Sequence, residues 1–122
     1  MLGKLEATAR FEGGTPAIFI RVGHDANGDG GASDCYLDLG DTSGHAVKIG
    51  PDGWSVVEHP RVHFRRPAGQ LPLPAPSREG SIDLLRRYAN LGEPDFRLLI
   101  VWMAAAIRSV GPHPVAALYG LG

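Results

Sequence analysis

Cysteine is almost absent: Cys35 is the single one in 122 residues. One thiol closes no intrachain disulfide, which excludes the disulfide-framework class of small extracellular domains. An excess of one charge is missing too. Lysine and arginine number 12 against 13 aspartates and glutamates, a formal net charge of −1, so the total advertises neither nucleic acid nor a membrane surface. Long hydrophobic runs are lacking as well. The longest, Leu98 to Ile107 between Arg97 and Arg108, is about half the ~20 residues a bilayer-spanning helix needs. The N-terminus, MLGKLEATARF, has no apolar core of a secretory leader and reads as a cytoplasmic start without membrane attachment.

The chain is rich in glycine (17) and proline (10), with 43% hydrophobic residues. That is enough apolar content for one domain with one core, and enough punctuation to keep its regular elements short. Period-two alternation marks AIFIRV (Ala17 to Val22), CYLDL (Cys35 to Leu39), HAVKI (His45 to Ile49), WSVV (Trp54 to Val57) and VHFRR (Val62 to Arg66) as strands. Their short connectors make consecutive strands antiparallel. RPAGQLPLPAPSREG then predicts an extended strap pinned by Leu71 and Leu73. Two helices follow. A short one is capped at Ser81, and a second starts near Pro94-Asp95 and runs to about Arg108-Ser109. The middle of the second is apolar all round, which predicts burial on more than one side. HPVAALYG (His113 to Gly120) reads as a terminal strand. The expected fold class is α+β: residues 1–66 a β module of about five antiparallel strands, 67–80 the strap, and 81–122 a helical segment ending in a strand, all one compact domain. The expected core is Ile18, Ile20, Val22, Leu37, Leu39, Val47, Ile49, Trp54, Val56, Phe64, Leu85, Leu99 and Trp102.

Charge is uneven along the chain. Residues 1–60 hold nine acids and four bases, residues 61–122 eight arginines and four acids, and the polarity can orient the chain against a charged partner. Arg61, Arg65 and Arg66, interleaved with His63 and Phe64, are candidates for nucleic-acid contact; the plainer alternative is a solvated strand face. Asp25, Asn27 and Asp29 with Gly30 match the opening of a calcium loop, which makes a small cation-binding module the alternative function. Tyr36 stands where that loop needs its bidentate glutamate, and the flanks are strand-like, as in an ordinary hairpin loop. His59 and His63 straddle Pro60 and have no cysteine pair beside them, a poor zinc spacing. Cys35 reads as a small core residue, and no serine has a nucleophile-elbow context.

Taken together, Tyr36-Leu37-Asp38-Leu39-Gly40-Asp41, Gly53-Trp54, Val62-His63-Phe64-Arg65-Arg66-Pro67 and Leu71-Pro72-Leu73-Pro74 resemble the region just upstream of the Walker A loop in bacterial and phage-type ATP-binding proteins, helicase- or primase-associated P-loop ATPases. The resemblance spans about Ala17 to Gly120 and implies that the last strand enters a phosphate-binding loop, with Gly120 and Gly122 at its first positions. The Walker lysine, its Ser/Thr and the Walker B acid are absent from the sequence, and hydrolysis needs them to organise ATP and Mg²⁺. The resemblance therefore implies a non-catalytic module or truncated fragment with no cofactor of its own, ATP and Mg²⁺ belonging to a longer parent. Its partners would be DNA, other subunits of an ATPase assembly, or a second copy, met through Arg61, Arg65 and Arg66 or through the helix Phe96 to Ile107.

Overall fold

The computed structural model describes residues 16–25, 33–108 and 111–120. Among these residues six strands come in chain order: β1 (Ile18–Phe19), β2 (Val22–Asp25), β3 (Asp34–Asp38), β4 (Ala46–Gly50), β5 (Gly53–Val57) and β6 (His63–Phe64). A 3-10 helix (Ile82–Arg87) and α1 (Glu93–Ala106) follow. Strands β2-β3-β4-β5 form an antiparallel meander, and β1 pairs in parallel with β6. The class is α+β, as the strand and helix periodicities predict.

Two strands differ in detail from the sequence reading. The predicted strand Ala17 to Val22 breaks at Ile20-Arg21, where the Arg21 carbonyl accepts from Asp38 N at 2.8 Å and its guanidinium turns back over β3. Antiparallel pairing follows from short connectors only between neighbours in sequence; β1 and β6 are far apart along the chain, and a long connection permits the parallel pair. At the other end, Arg65 N donates to Phe19 O at 2.7 Å, but Arg66 points to Asp38 and Pro67 has no N–H, so β6 stops at Phe64.

The meander's register sorts its side chains. Val22, Leu37, Val47, Ile49, Trp54 and Val56 share one face; Gly23, Asp34, Tyr36, Asp38, Ala46 and Lys48 share the other. The second, mixed face carries most of the tightest burial: Asp38, Ala46, Tyr36 and Asp34 are all buried there. Gly23 makes room for this packing. A Cβ at Gly23 would stand 2.7 Å from the Phe19 ring and 3.1 Å from Val62, so the β1–β6 layer lies directly on its backbone. Of the expected core, Leu39 and Val47 are buried, Val22, Leu37, Ile49, Trp54, Phe64, Leu85, Leu99 and Trp102 half-buried, and Ile18, Ile20 and Val56 exposed.

The strap, residues 67–80, has neither helix nor strand, and Leu71 and Leu73, expected to pin it, have exposed side chains; their backbone groups make the contacts instead. Ser81 caps the short helix as predicted, its Oγ accepting from Asp83 N at 3.3 Å. The six residues Ile82–Arg87 are too few for a self-sustaining α-helix, and the turn tightens to 3-10. Helix α1 begins after Gly92 with Pro94 in its first turn and Glu93 and Asp95 at its positive end. Phe96 is its one buried residue, under the Arg86 guanidinium 3.8 Å from the ring centroid. The predicted burial of α1 on several sides is not found: Leu98 is 67% and Val101 66% exposed. The strap already occupies the sheet's apolar face, with Pro76 and Ser77 over Leu37, Val47, Ile49 and Trp54. Residues 111–120 have neither helix nor strand and pair with no strand among the described residues. Pro112 and Pro114 offer no N–H to a ladder, and the segment is instead held at Pro114 O by the Trp102 indole N–H at 2.6 Å.

Candidate functional site

The most elaborate polar cluster centres on Asp38, at the end of β3 and 0% exposed. Arg66 grips its carboxylate bidentately, Nη2 to Oδ1 at 2.7 Å and Nε to Oδ2 at 3.0 Å. Gly40 N donates to Oδ1 at 3.1 Å, and Gln70 Nε2 to Oδ2 at 3.1 Å. Two donors on each oxygen use the full accepting capacity of a carboxylate. Burial pushes the Asp38 carboxyl up, but the Arg66 and Gly40 hydrogen bonds and the Arg66 and Arg21 charges together hold it below the usual range. A carboxylate so occupied and so acidic is a clasp and not a general base.

The clasp gathers distant segments. Arg66 Nη1 also donates to Asp41 O at 2.6 Å. Arg21 donates to Asp38 O at 3.1 Å and to Leu71 O at 2.9 Å, while Leu73 N donates to Leu39 O at 2.7 Å. Gly40, with φ +69°, turns the chain beneath this crossing, where a Cβ would stand 3.3 Å from Arg21 Nη1. Asp41 pairs in turn with His45 through both His45 N and Nδ1, and that side-chain hydrogen bond is the first cause of its lowered pKa. The stretches Tyr36 to Asp41, Arg65 to Pro67 and Leu71 to Pro74 thus meet in one place.

A second cluster lies at the far end of the same face. Buried Asp34 has Lys48 Nζ 2.9 Å from Oδ2, an ion pair in which that oxygen accepts no hydrogen bond. Gly50 leaves the carboxylate room, since a Cβ there would be 2.8 Å from Oδ1. Asp34 and Lys48 border an open cleft of about 380 Å³ with Asp52, Trp54 and Ser55.

The arginines proposed for nucleic acid separate in the structure. Arg66 is committed to Asp38 and Asp41 through all three of its nitrogens. Arg65 is exposed beside β6, and Arg61 is exposed within electrostatic reach of Tyr36. Of the acidic loop, Asp25 ends β2 opposite Asp34; Asn27 and Asp29 lie outside the described residues. Among the described residues no group of three histidines, cysteines or acids is arranged to hold a metal. Cys35 is buried near the Ile107 carbonyl, 3.8 Å from its Sγ, and burial pushes its thiol up, away from the reactive thiolate. Gly120 is in that end segment, and Gly122 lies outside the described residues.

Comparison with protein-family models, with curated proteins and with solved structures returned no match.

The remaining feature is apolar. Leu91, Leu98, Leu99 and Trp102 face Ala116 to Tyr119 across a groove of about 420 Å³, with Asp95 at its edge. Tyr119 is 94% and Leu118 64% exposed. Leu98, on the opposite wall, is 67% exposed, so large apolar side chains are open to solvent on both sides of the groove. No described helix is long and apolar enough to cross a membrane. Sequence reasoning singled out the helix Phe96 to Ile107 for contacts but missed Asp38 and Gln70, whose roles depend on residues 28 and 32 positions apart.

Proposed function

We propose that the chain is a non-catalytic assembly module of a phage- or mobile-element-type P-loop ATPase, and that α1 seats it against the nucleotide-binding domain of that ATPase. One observation carries the reading: a helix that is apolar from Leu98 to Ala106 and held in place through Phe96 leaves Leu98 and Val101 open to solvent. The motifs on which the resemblance rests favour the same role. Three of them, Tyr36 to Asp41, Arg65 to Pro67 and Leu71 to Pro74, meet at the Asp38 clasp, which ties these segments together and has no vacant acid, base or nucleophile. The resemblance supplies the occupant, since it sets this module directly before the nucleotide-binding domain.

Direct DNA contact is the lesser part of the proposal, because Arg66 is already engaged and Arg65 would act without it. The cation-binding alternative has Asp25 alone among the described residues.

The reading frame beyond codon 122 provides the test. An in-frame continuation with a GKS- or GKT-like loop is the expected result; a frame without one overturns the proposal. The double variant Leu98→Glu with Val101→Glu tests the surface itself. It should abolish binding of a hydrophobic dye to the isolated chain and co-purification with the nucleotide-binding domain, while changing stability by no more than about 0.5 kcal/mol, as exposed substitutions do.

A further inference from the structure

The strap is fastened very unevenly. Its first half is bound by the Asp38 clasp through Gln70, by Arg21 on the Leu71 carbonyl, and by the backbone hydrogen bond from Leu73 N to Leu39 O. Beyond Leu73, one side chain fastens it to the sheet among the described residues. Arg78 donates from Nη2 to Trp54 O at 3.1 Å and stacks its guanidinium 4.5 Å from the Trp54 ring centroid, both at an exposed site. Pro74 and Pro76 have no N–H to add. Pro76 and Ser77 border an apolar depression of about 280 Å³, open to solvent, whose other walls are Leu37, Val47, Ile49 and Trp54. Close packing would leave no such gap between them, so this half of the strap is laid against the sheet and not packed into it.

We infer that the strap is a hinged cover, fixed at Leu73 and latched by Arg78 over Trp54, which lifts to open the apolar face of the meander. Gly80 supplies the second hinge: a Cβ there would meet only Ser77 O, at 3.6 Å, so its backbone is sterically open. The turn between, in which Ser77 Oγ accepts from Glu79 N at 3.1 Å, travels with the cover as a unit. Lifting breaks the two Arg78 contacts and widens an existing hollow, whereas lifting at the other end would strand a buried carboxylate. The cover is therefore set to open from the Arg78 side. This inference stands apart from the ATPase reading, since it concerns the sheet's apolar face and not α1.

The chain has two tryptophans, so a Trp102→Phe background leaves Trp54 as the reporter. In that background Arg78→Ala should raise the open-to-closed ratio about two- to fivefold, the weight of an exposed cation–π contact. Acrylamide quenching of Trp54 should rise accordingly, with the urea midpoint nearly unchanged. Arg78→Lys, which keeps the charge and loses the planar stack, should fall between. Quenching equal to the background protein overturns the inference. So does quenching that rises only in step with a loss of global stability, because the far end would then belong to the cooperative core.

Discussion

Replacing Asp38 by asparagine keeps the shape of the side chain and removes the charge at the centre of the clasp. Asparagine offers one accepting oxygen in place of two, so its NH₂ meets two donors, either Arg66 Nε and Gln70 Nε2 or Arg66 Nη2 and the Gly40 N–H, according to the way the amide is turned. Removing one partner of a fully buried ion pair costs about 3–5 kcal/mol. Arg66 is 35% exposed and can rehydrate, which places the expected loss at the lower end, about 3 kcal/mol at pH 7. For a domain of this size that is a fall in melting temperature of roughly 10–15 °C. Urea unfolding of the two proteins across pH is the assay. Asp38 has a folded pKa below its unfolded value, so its contribution is fully present above about pH 4 and is lost as the pH falls through the folded value. The gap between wild type and Asp38→Asn should therefore close on the acid side. A difference below about 0.5 kcal/mol at neutral pH, or a gap that persists unchanged into acid, would refute the clasp.

Gly23→Ala drives a methyl into the Phe19 ring and Val62, and overpacking of this kind should destabilise by about 1–3 kcal/mol in thermal unfolding. Rescue by Phe19→Leu in the same background would show that the ring is the obstacle. Arg65→Ala should lower the salt slope of any single-stranded DNA binding by about one phosphate contact while leaving stability intact. Arg66→Ala should instead lower the urea midpoint, as a clasp residue does, and a wild-type midpoint would return it to the DNA-contact set.

Local patterns carried much of the fold. Alternation in CYLDL and HAVKI located β3 and β4, Pro51-Asp52-Gly53 located the tight hairpin between β4 and β5, and Ser81 and Pro94 located both helix starts. Period two also put Asp38 on the face opposite Leu37, where a charged residue is ordinarily solvated. Its burial depends on Arg66, just past β6, and Gln70, from the strap, and no local pattern encodes that meeting. The exposure of α1 was hidden for a related reason. Apolar content reports the tendency of a helix to be covered, but the cover depends on which other elements remain, and here the strap has taken the sheet. The cluster that does most to fix the scaffold was thus visible as motifs and invisible as a contact.

The parallel pairing of β1 with β6 fixes an order of assembly. The β2-β3-β4-β5 hairpins join neighbours in sequence and can close early, since short loops lose little entropy on closure. The strands β1 and β6 bracket the whole meander, and their register, Ile18 with His63 and Phe19 with Phe64, can be set only once the intervening chain has folded back. Through that pair Phe19 lies on Gly23 of the meander. Ribosomal synthesis therefore leaves β1 waiting, through the emergence of four strands, for a partner that has yet to be made.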